Sequence, residues 1–302
     1  MHRDHREGSG MSGRIWIGLA LALLATAALA AGPGAVRKQA EASMLVTGQV
    51  RIEPDGSVSG WELDRRDTLP EVVTELIDRA IPAWRFEPVL VDGKPAKVEA
   101  AMSLRLVANR LDDGDYQVSV RSSYFGDDAK GSEGMVKEGR ADETVHAIQM
   151  RPPSYPPQAA KAGIRGTVYL VLRIDREGAV DDVFVEQVNL RNIGSERQMD
   201  LMRAVLAKPT AAAARKWTFA IPTAGEQAGN GYWSIRVPVA YMLDGERDAA
   251  YGRWETYIPG PRHRVPWDDG EPDPNAGPDA LIAGGVYPAG KGIRLLTPLH
   301  EG

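Results

Sequence analysis

Five histidines are the first residues to test for chemistry: His2, His5, His146, His263 and His300. His2 and His5 have the spacing of a metal-ligand pair, but they precede an apolar leader and belong to no mature site. The other three lie far apart in loop-like sequence, where a solvated imidazole is expected rather than a ligand or a base. Acidic clusters at Asp181-Asp182 and Asp268-Asp269-Gly270-Glu271 raise the question of calcium. So does Asp273-x-Asn275-x-Gly277-x-Asp279, which alternates oxygen-bearing side chains. Its glycine is misplaced for a calcium loop, however, and no glutamate falls at the twelfth position, so a solvated loop is expected. No G-x-S-x-G elbow, Walker lysine loop or dinucleotide glycine fingerprint occurs. The absence of cysteine from the sequence removes disulfides, iron–sulfur clusters and thiol catalysis. An enzyme here would need a carboxylate pair or a Ser-Lys site, and no spacing points to one. The expectation is a protein with no catalytic, metal-binding or cofactor-binding residues.

What remains are residues suited to binding. Tyr155-Pro156 lies among prolines in an extended, preorganised segment, so the ring either packs on a sheet or is presented to a ligand. Residues 233–243 alternate Trp233, Ile235, Val237, Val239, Tyr241 and Leu243 on one face of a strand. Pro238 falls on the other parity and cannot donate a ladder hydrogen bond, which places this strand at a sheet edge. An open edge is a template for strand addition by an extended peptide. The same edge is also open to capping by the chain's own tail or by residues 116–124. Ile235, Val237 and Val239, with Tyr155, Pro156 and Gln158 at the helix entry, are the candidate partner-binding residues.

The elements that must position them run from residue 152. A short alanine-rich helix at 158–162 is stopped by Gly163 and Gly166. Val168, Leu170, Leu172 and Ile174 then alternate along a strand, Asp175-Arg176-Glu177-Gly178 turns it, and 179–188 return. Pro209 interrupts the helical stretch that follows, predicting a kink or two short helices at 196–207 and 210–216. Trp217 and Phe219, at period two, are expected to pack inward.

An earlier stretch repeats this order. Residues 45–52 and 57–63 read as a hairpin turning at Asp55-Gly56. Thr68-x-x-Glu71 reads as a capping box ahead of a helix with the apolar stripe Val72, Val73, Leu76, Ile77 and Ala80. Trp84 and Phe86 follow, and Ala100, Met102, Leu104 and Leu106 alternate along a closing strand. Trp84 precedes Leu104 by twenty residues, as Trp217 precedes Val237. This is an internal repeat whose first copy lacks the Tyr-Pro entry. Residues 116–124 form one more strand, and 126–150 read as a linker. The last 58 residues hold eight Pro and ten Gly. Yet they also space out Tyr251, Trp254, Tyr257, Trp267 and Tyr287, which predicts an extended tail docked by aromatic anchors onto the second unit.

With 302 residues, 43% hydrophobic, the chain has room for two ordinary domains. A net charge of −5 gives no basic face for nucleic acid. Arg14 precedes an apolar run at 15–31 that ends in Ala28-Leu29-Ala30, the pattern of an export signal cleaved after Ala30. Residues 1–31 are read as that signal. Location in the periplasm follows, with inner-membrane anchoring only if the segment stays uncleaved.

The order Pro-x-Tyr-Pro, small helix, Gly-x-Val strand, glycine turn, second strand, helix, Trp-x-Phe and last strand resembles the C-terminal domain of TonB-type energy transducers. The resemblance implies an α+β fold of two TonB-C-like units, at 40–125 (degenerate) and 151–245. Each would be a small antiparallel sheet with a helix on one face, and an extended Pro/Gly-rich tail at 246–302 would follow. It also implies a non-enzymatic, protein-binding role in transport across the outer membrane, with Tyr155 and Pro156 bordering a groove for a periplasmic transporter segment. Neither 32–41 nor 126–151 is the Pro-rich rod of a force-transmitting member, so a stand-alone binding or adaptor role is expected. The alternative is a structural envelope protein that self-associates, as a homodimer, through its edge strands.

Overall fold

In this computed structural model the described residues are 40–91, 93–111, 116–126, 142–243, 251–268, 270, 273–290 and 292–299. The leader expected at 1–31 and most of the expected linker lie outside them. The fold is α+β, built on two small antiparallel sheets with helices packed against them.

The first sheet starts from a hairpin of β1 (Glu41–Ile52) and β2 (Val58–Leu63). Helix α1 (Glu71–Ala80) follows, then the Trp84–Phe86 segment, a small β3–β4 hairpin (Leu90–Val91, Lys94–Pro95), and β5 (Val98–Arg110), which returns beside β1. A further strand, β6 (Tyr116–Phe125), adds to β5. After β7 (His146–Gln149) and a short helix α2 (Pro157–Lys161), the order recurs. The hairpin of β8 (Gly166–Ile174) and β9 (Val180–Leu190) is followed by helix α3 (Glu196–Ala214), by β10 (Thr218–Ala220), which pairs with β7, and by β11 (Trp233–Tyr241), which lies beside β8 in the second sheet. Strands β12 (Glu255–Tyr257) and β13 (Tyr287–Pro288) come from the tail. The sheet orders are β12-β1-β5-β6, with β2 also on β1, and β13-β11-β8-β9.

The two hairpin turns meet the same constraint. Gly56 and Gly178 have φ of 81° and 79°. A Cβ on Gly56 would stand 2.0 Å from the Phe86 carbonyl oxygen, and one on Gly178 would stand 2.1 Å from that of Phe219. Each glycine carbonyl accepts the amide of that phenylalanine at 2.8 Å. The glycine therefore supplies both a left-handed dihedral and the room for the Trp-x-Phe segment to lie against the turn. The four rings Trp84, Phe86, Trp217 and Phe219 are buried, as period two implies. Val168, Leu170, Leu172 and Ile174 face Leu206, Trp217, Phe219 and Trp233 in one core, each such burial contributing about 1.5–3 kcal/mol. Val46, Val50, Ile52, Val73, Ile77, Trp84, Phe86 and Leu104 form the other.

Several local expectations are corrected. No capping box forms at Thr68: its hydroxyl donates to the Arg65 carbonyl (2.8 Å) in a 3-10 turn, and α1 starts after Pro70. The box forms instead on α3, where Ser195 and Gln198 exchange side-chain and main-chain bonds. Pro209 does not break α3. The carbonyl it leaves without an amide is that of Val205, on the exposed side, and the Thr210 hydroxyl ties the turn to the Leu206 carbonyl at 2.6 Å. Within the stretch read as linker, β7 pairs with β10.

The tail docks on both sheets rather than on the second alone. β12 pairs with β1, Ile258 bridges to Leu190 of β9, β13 pairs with β11, and Leu295 bridges to Phe86. The physical reason is apolar: Leu295 and Leu299 complete the first core, while Ile258 joins the second.

Candidate functional site

The entry segment is fixed from below. The Trp217 indole donates to the Arg151 carbonyl at 2.8 Å, anchoring the proline run. Tyr155 then lies edge-on to Tyr241, ring centroids 5.2 Å apart, and its hydroxyl donates to the Ile164 carbonyl. Gly163, at φ 63°, ends α2, and Asn192 staples the exit by accepting the Arg165 amide (2.6 Å) and donating to the Gly163 carbonyl (2.8 Å). Tyr241 in turn shares a hydrogen bond with Thr210 of α3 at 2.7 Å, and burial pushes its hydroxyl's pKa up. Tyr155 and Pro156 are half-buried against this stack, and Gln158 is exposed on α2. Their neighbour is therefore the far end of β11, at Tyr241.

β11 is the outer strand of β11-β8-β9, as Pro238 implies, but its edge is not open along its length. Pro238 has no N–H, so the even-numbered positions of β11 turn their main-chain groups away from β8. Three of these positions are occupied by the chain's own tail. The Ser234 carbonyl accepts the Ala289 amide at 2.8 Å, Arg236 pairs with Tyr287, and the Pro238 carbonyl accepts the Gly284 amide at 2.9 Å. Ala240, the last even position, carries no such pairing among the described residues. The expectation of a freely exposed edge is thus corrected over residues 234–238, and the capping alternative describes that stretch. Ile235 and Val237 are 1% exposed and Val239 is half-buried; their side chains face the core and their main-chain groups face β8. They line the strand from inside, so any partner meets Ser234, Arg236, Pro238 and Ala240 first.

The tail also builds features the sequence did not reveal. A cleft of about 610 Å³ lies beside β13, lined in part by Phe125, Glu186, Arg236, Arg262, Val265 and Arg294. Within it Glu186, 2% exposed, is held by Arg236 (2.8 and 3.3 Å) and Arg262 (2.9 Å). Arg236 alone gave a signal, as the one charged residue in an apolar strand. Asn275 and Asp279 of the calcium-like spacing are buried staples. Asn275 donates to the Leu295 and Thr297 carbonyls (2.8 and 3.0 Å) and accepts the Leu299 amide (3.1 Å). Asp279 accepts from Ser122 (2.6 Å) and from Tyr257. Burial, reinforced by the Asp279 charge, drives the Tyr257 hydroxyl's pKa far up. Among the described residues no group of three or more His, Asp or Glu is placed to hold a metal ion, and no helix is long and apolar enough to cross a membrane.

No family model matches the chain. Over 104 residues it is 38% identical to Protein TonB of Xanthomonas campestris pv. campestris, from strain B100 and equally from strain ATCC 33913. The match covers 34% of this chain and 40% of each relative, so the chain spans well under half the length of the curated relatives it matches. Among solved structures it is similar to the solution NMR structure of the Pseudomonas aeruginosa TonB CTD. That likeness has 22% identity, covers 35% of this chain and 93% of that one, and has a TM-score of 0.24. About a third of the chain is therefore similar in sequence to part of Protein TonB.

Proposed function

We propose that the protein is an exported, non-enzymatic TonB-like binding module that serves transport across the outer membrane by capturing an extended periplasmic segment of a transporter. The observation that carries this reading is the 38% identity over 104 residues to Protein TonB. The sheet geometry supports a mode of capture. A guest strand would pair with the outward groups of Ser234, Arg236, Pro238 and Ala240 on β11, with Tyr155, Pro156 and Gln158 bordering its path. In this conformation the tail stands in that place over 234–238, so capture begins at Ala240 and proceeds by displacing residues 284–289. We read the two sheets as copies of one module, the first closed permanently by β6 and the second closed by a two-residue β13. The second is accordingly the working copy.

Pull-down from envelope extracts with the full chain is the test. An outer-membrane transporter should be recovered, and Tyr155→Ala should release it. Gln158→Ala, at an exposed position, should weaken recovery without disturbing the fold. Recovery unchanged in both variants would remove these residues from the binding path, and no transporter recovered at all would remove the function.

A further inference from the structure

The cleft of about 610 Å³ beside β13 has a fixed frame. The His263 amide donates to the Glu186 carbonyl (2.8 Å) and the Ser123 amide to the Asn275 carbonyl (2.8 Å). The Ile293 amide donates to the Phe125 carbonyl (3.2 Å) and the Glu87 amide to the Arg294 carbonyl (2.9 Å). These four bonds tie the tail to β9 on one side and to β6 and the segment after Phe86 on the other. The volume falls within the range of about 300–1,000 Å³ that suits a small organic ligand.

The inner wall carries unbalanced charge. Glu186, 2% exposed, accepts from Arg236 through Nε and Nη2 (2.8 and 3.3 Å) and from Arg262 through Nε (2.9 Å). One carboxylate thus faces two cations. Every other ion pair among the described residues gives its Arg or Lys a carboxylate of its own, or two, as Arg173 has Asp181 and Asp182. The Arg236 side chain is only 19% exposed, so water screens the surplus cation poorly. Nη1 of Arg262 is taken by the Ala276 carbonyl (3.0 Å). Nη2 of Arg262 and Nη1 of Arg236 have no partner among the described residues.

The charge count and the rest of the wall decide the ligand. Guanidinium N–H groups at this spacing suit the oxygens of a carboxylate or a phosphate. Arg264 and Arg294 also line the cleft, and so do Glu87, Asp268 and Asp273. The rim is therefore acidic by one charge where the inner wall is basic by one. A single carboxylate cancels the inner surplus, whereas the second charge of a phosphate dianion meets the acidic rim. Val265 and Leu295, both buried, and the partly buried Ile293 add apolar wall. We propose that the cleft binds a small organic monocarboxylate, its head on Arg236 and Arg262 and its apolar body against Val265, Ile293 and Leu295. This binding does not depend on capture of a transporter segment by β11.

Calorimetric titration of the full chain with 3-phenylpropionate tests it. A Kd of about 1 mM or tighter is expected. The neutral 3-phenylpropionamide, which keeps the apolar body, should bind at least about tenfold more weakly, and so should inorganic phosphate. Arg262→Gln changes a side chain that is 38% exposed and leaves Glu186 matched to Arg236 alone. It should weaken the acid at least about tenfold and leave the amide unchanged. Glu186→Gln frees a second cation and should tighten the acid, a gain that damage to the fold does not produce. No binding of the acid at about 10 mM, amide or phosphate bound as tightly as the acid, or Arg262→Gln binding the acid as well as the parent chain overturns the proposal.

Discussion

Tyr287→Ala should convert the closed edge of β11 into an open one. Tyr287 is 1% exposed, stands edge-on to Tyr124 at 5.2 Å, and closes its own loop by donating to the Ile282 carbonyl (2.9 Å) and accepting the Ile282 amide (3.1 Å). Lifting residues 284–289 from β11 forfeits about four main-chain bonds at about 1 kcal/mol each. It also exposes a ring worth about 2–3 kcal/mol. The strap is thus held by about 6 kcal/mol, which leaves it open about once in 10⁴. Removing the ring takes away about 2–3 kcal/mol of that, so the open fraction rises on the order of 100-fold. Amide exchange reports this directly, because the Arg236 N–H points at β13 and is protected only while the strap is closed. Exchange at Arg236 should accelerate about 100-fold while amides of β8 stay protected, and recovery of a transporter from envelope extracts should rise in step. Arg236 exchanging no faster in the variant would refute the ledger. Faster exchange with no gain in recovery would refute the assignment of this edge to the guest.

Other predictions concern the scaffold. Gly178→Ala brings a Cβ 2.1 Å from the Phe219 carbonyl at a left-handed φ, whereas Gly163→Ala meets the same φ penalty in open space. The first should cost about 3 kcal/mol and the second about 1 kcal/mol in urea unfolding, and equal losses would dismiss the close approach. Burial pushes the Tyr169 hydroxyl up to about 12 from its usual 10.0. A neutral form favoured in the fold gives stability that is complete below pH 10 and is lost as pH climbs toward 12, amounting to about 2–3 kcal/mol. Tyr169→Phe should therefore flatten the alkaline limb of a thermal-midpoint titration, and an unchanged limb would contradict this. Glu186→Gln leaves Arg236 and Arg262 facing a neutral amide in a buried setting. A loss of about 2–3 kcal/mol is expected on unfolding, against under 0.5 kcal/mol for the exposed pair partner in Asp200→Asn.

Much of each sheet was legible because one signal sufficed for each element. Val168 to Ile174 alternate, Asp-Gly or Glu-Gly marks the turn, and Trp-x-Phe can bury both rings only from one side of a strand. Pro238 marked the side of β11 that β8 does not use, since a missing donor is a local fact. β13 pairs on that side, however, so β11 is not the edge strand of its sheet. The chain's own tail was one of the coverings the sequence left open for that side, but which residues of the tail pair there was not legible. β12 and β13 are three and two residues long, too short for any periodicity, and their partners lie far away in sequence. The candidate residues Ile235, Val237 and Val239 were drawn from the apolar face of β11, yet a strand's edge is presented by the opposite parity, where Ser234, Arg236 and Ala240 stand. Asp273 to Asp279 carried oxygen atoms at suggestive intervals, but those atoms satisfy amides of the tail and the hydroxyls of Tyr257 and of Ser122 on β6. The capping box at Thr68 failed because Pro70 starts the helix later, leaving the Thr68 hydroxyl a nearer acceptor in Arg65.

A photo-reactive amino acid placed at Ala240, the one outward position of β11 free of the strap, tests most directly whether this edge receives a guest. In intact cells the account predicts an adduct with the periplasmic segment of an outer-membrane transporter, enriched when Tyr287→Ala is combined with it. Adducts formed only with the chain's own tail, in both backgrounds, would contradict it.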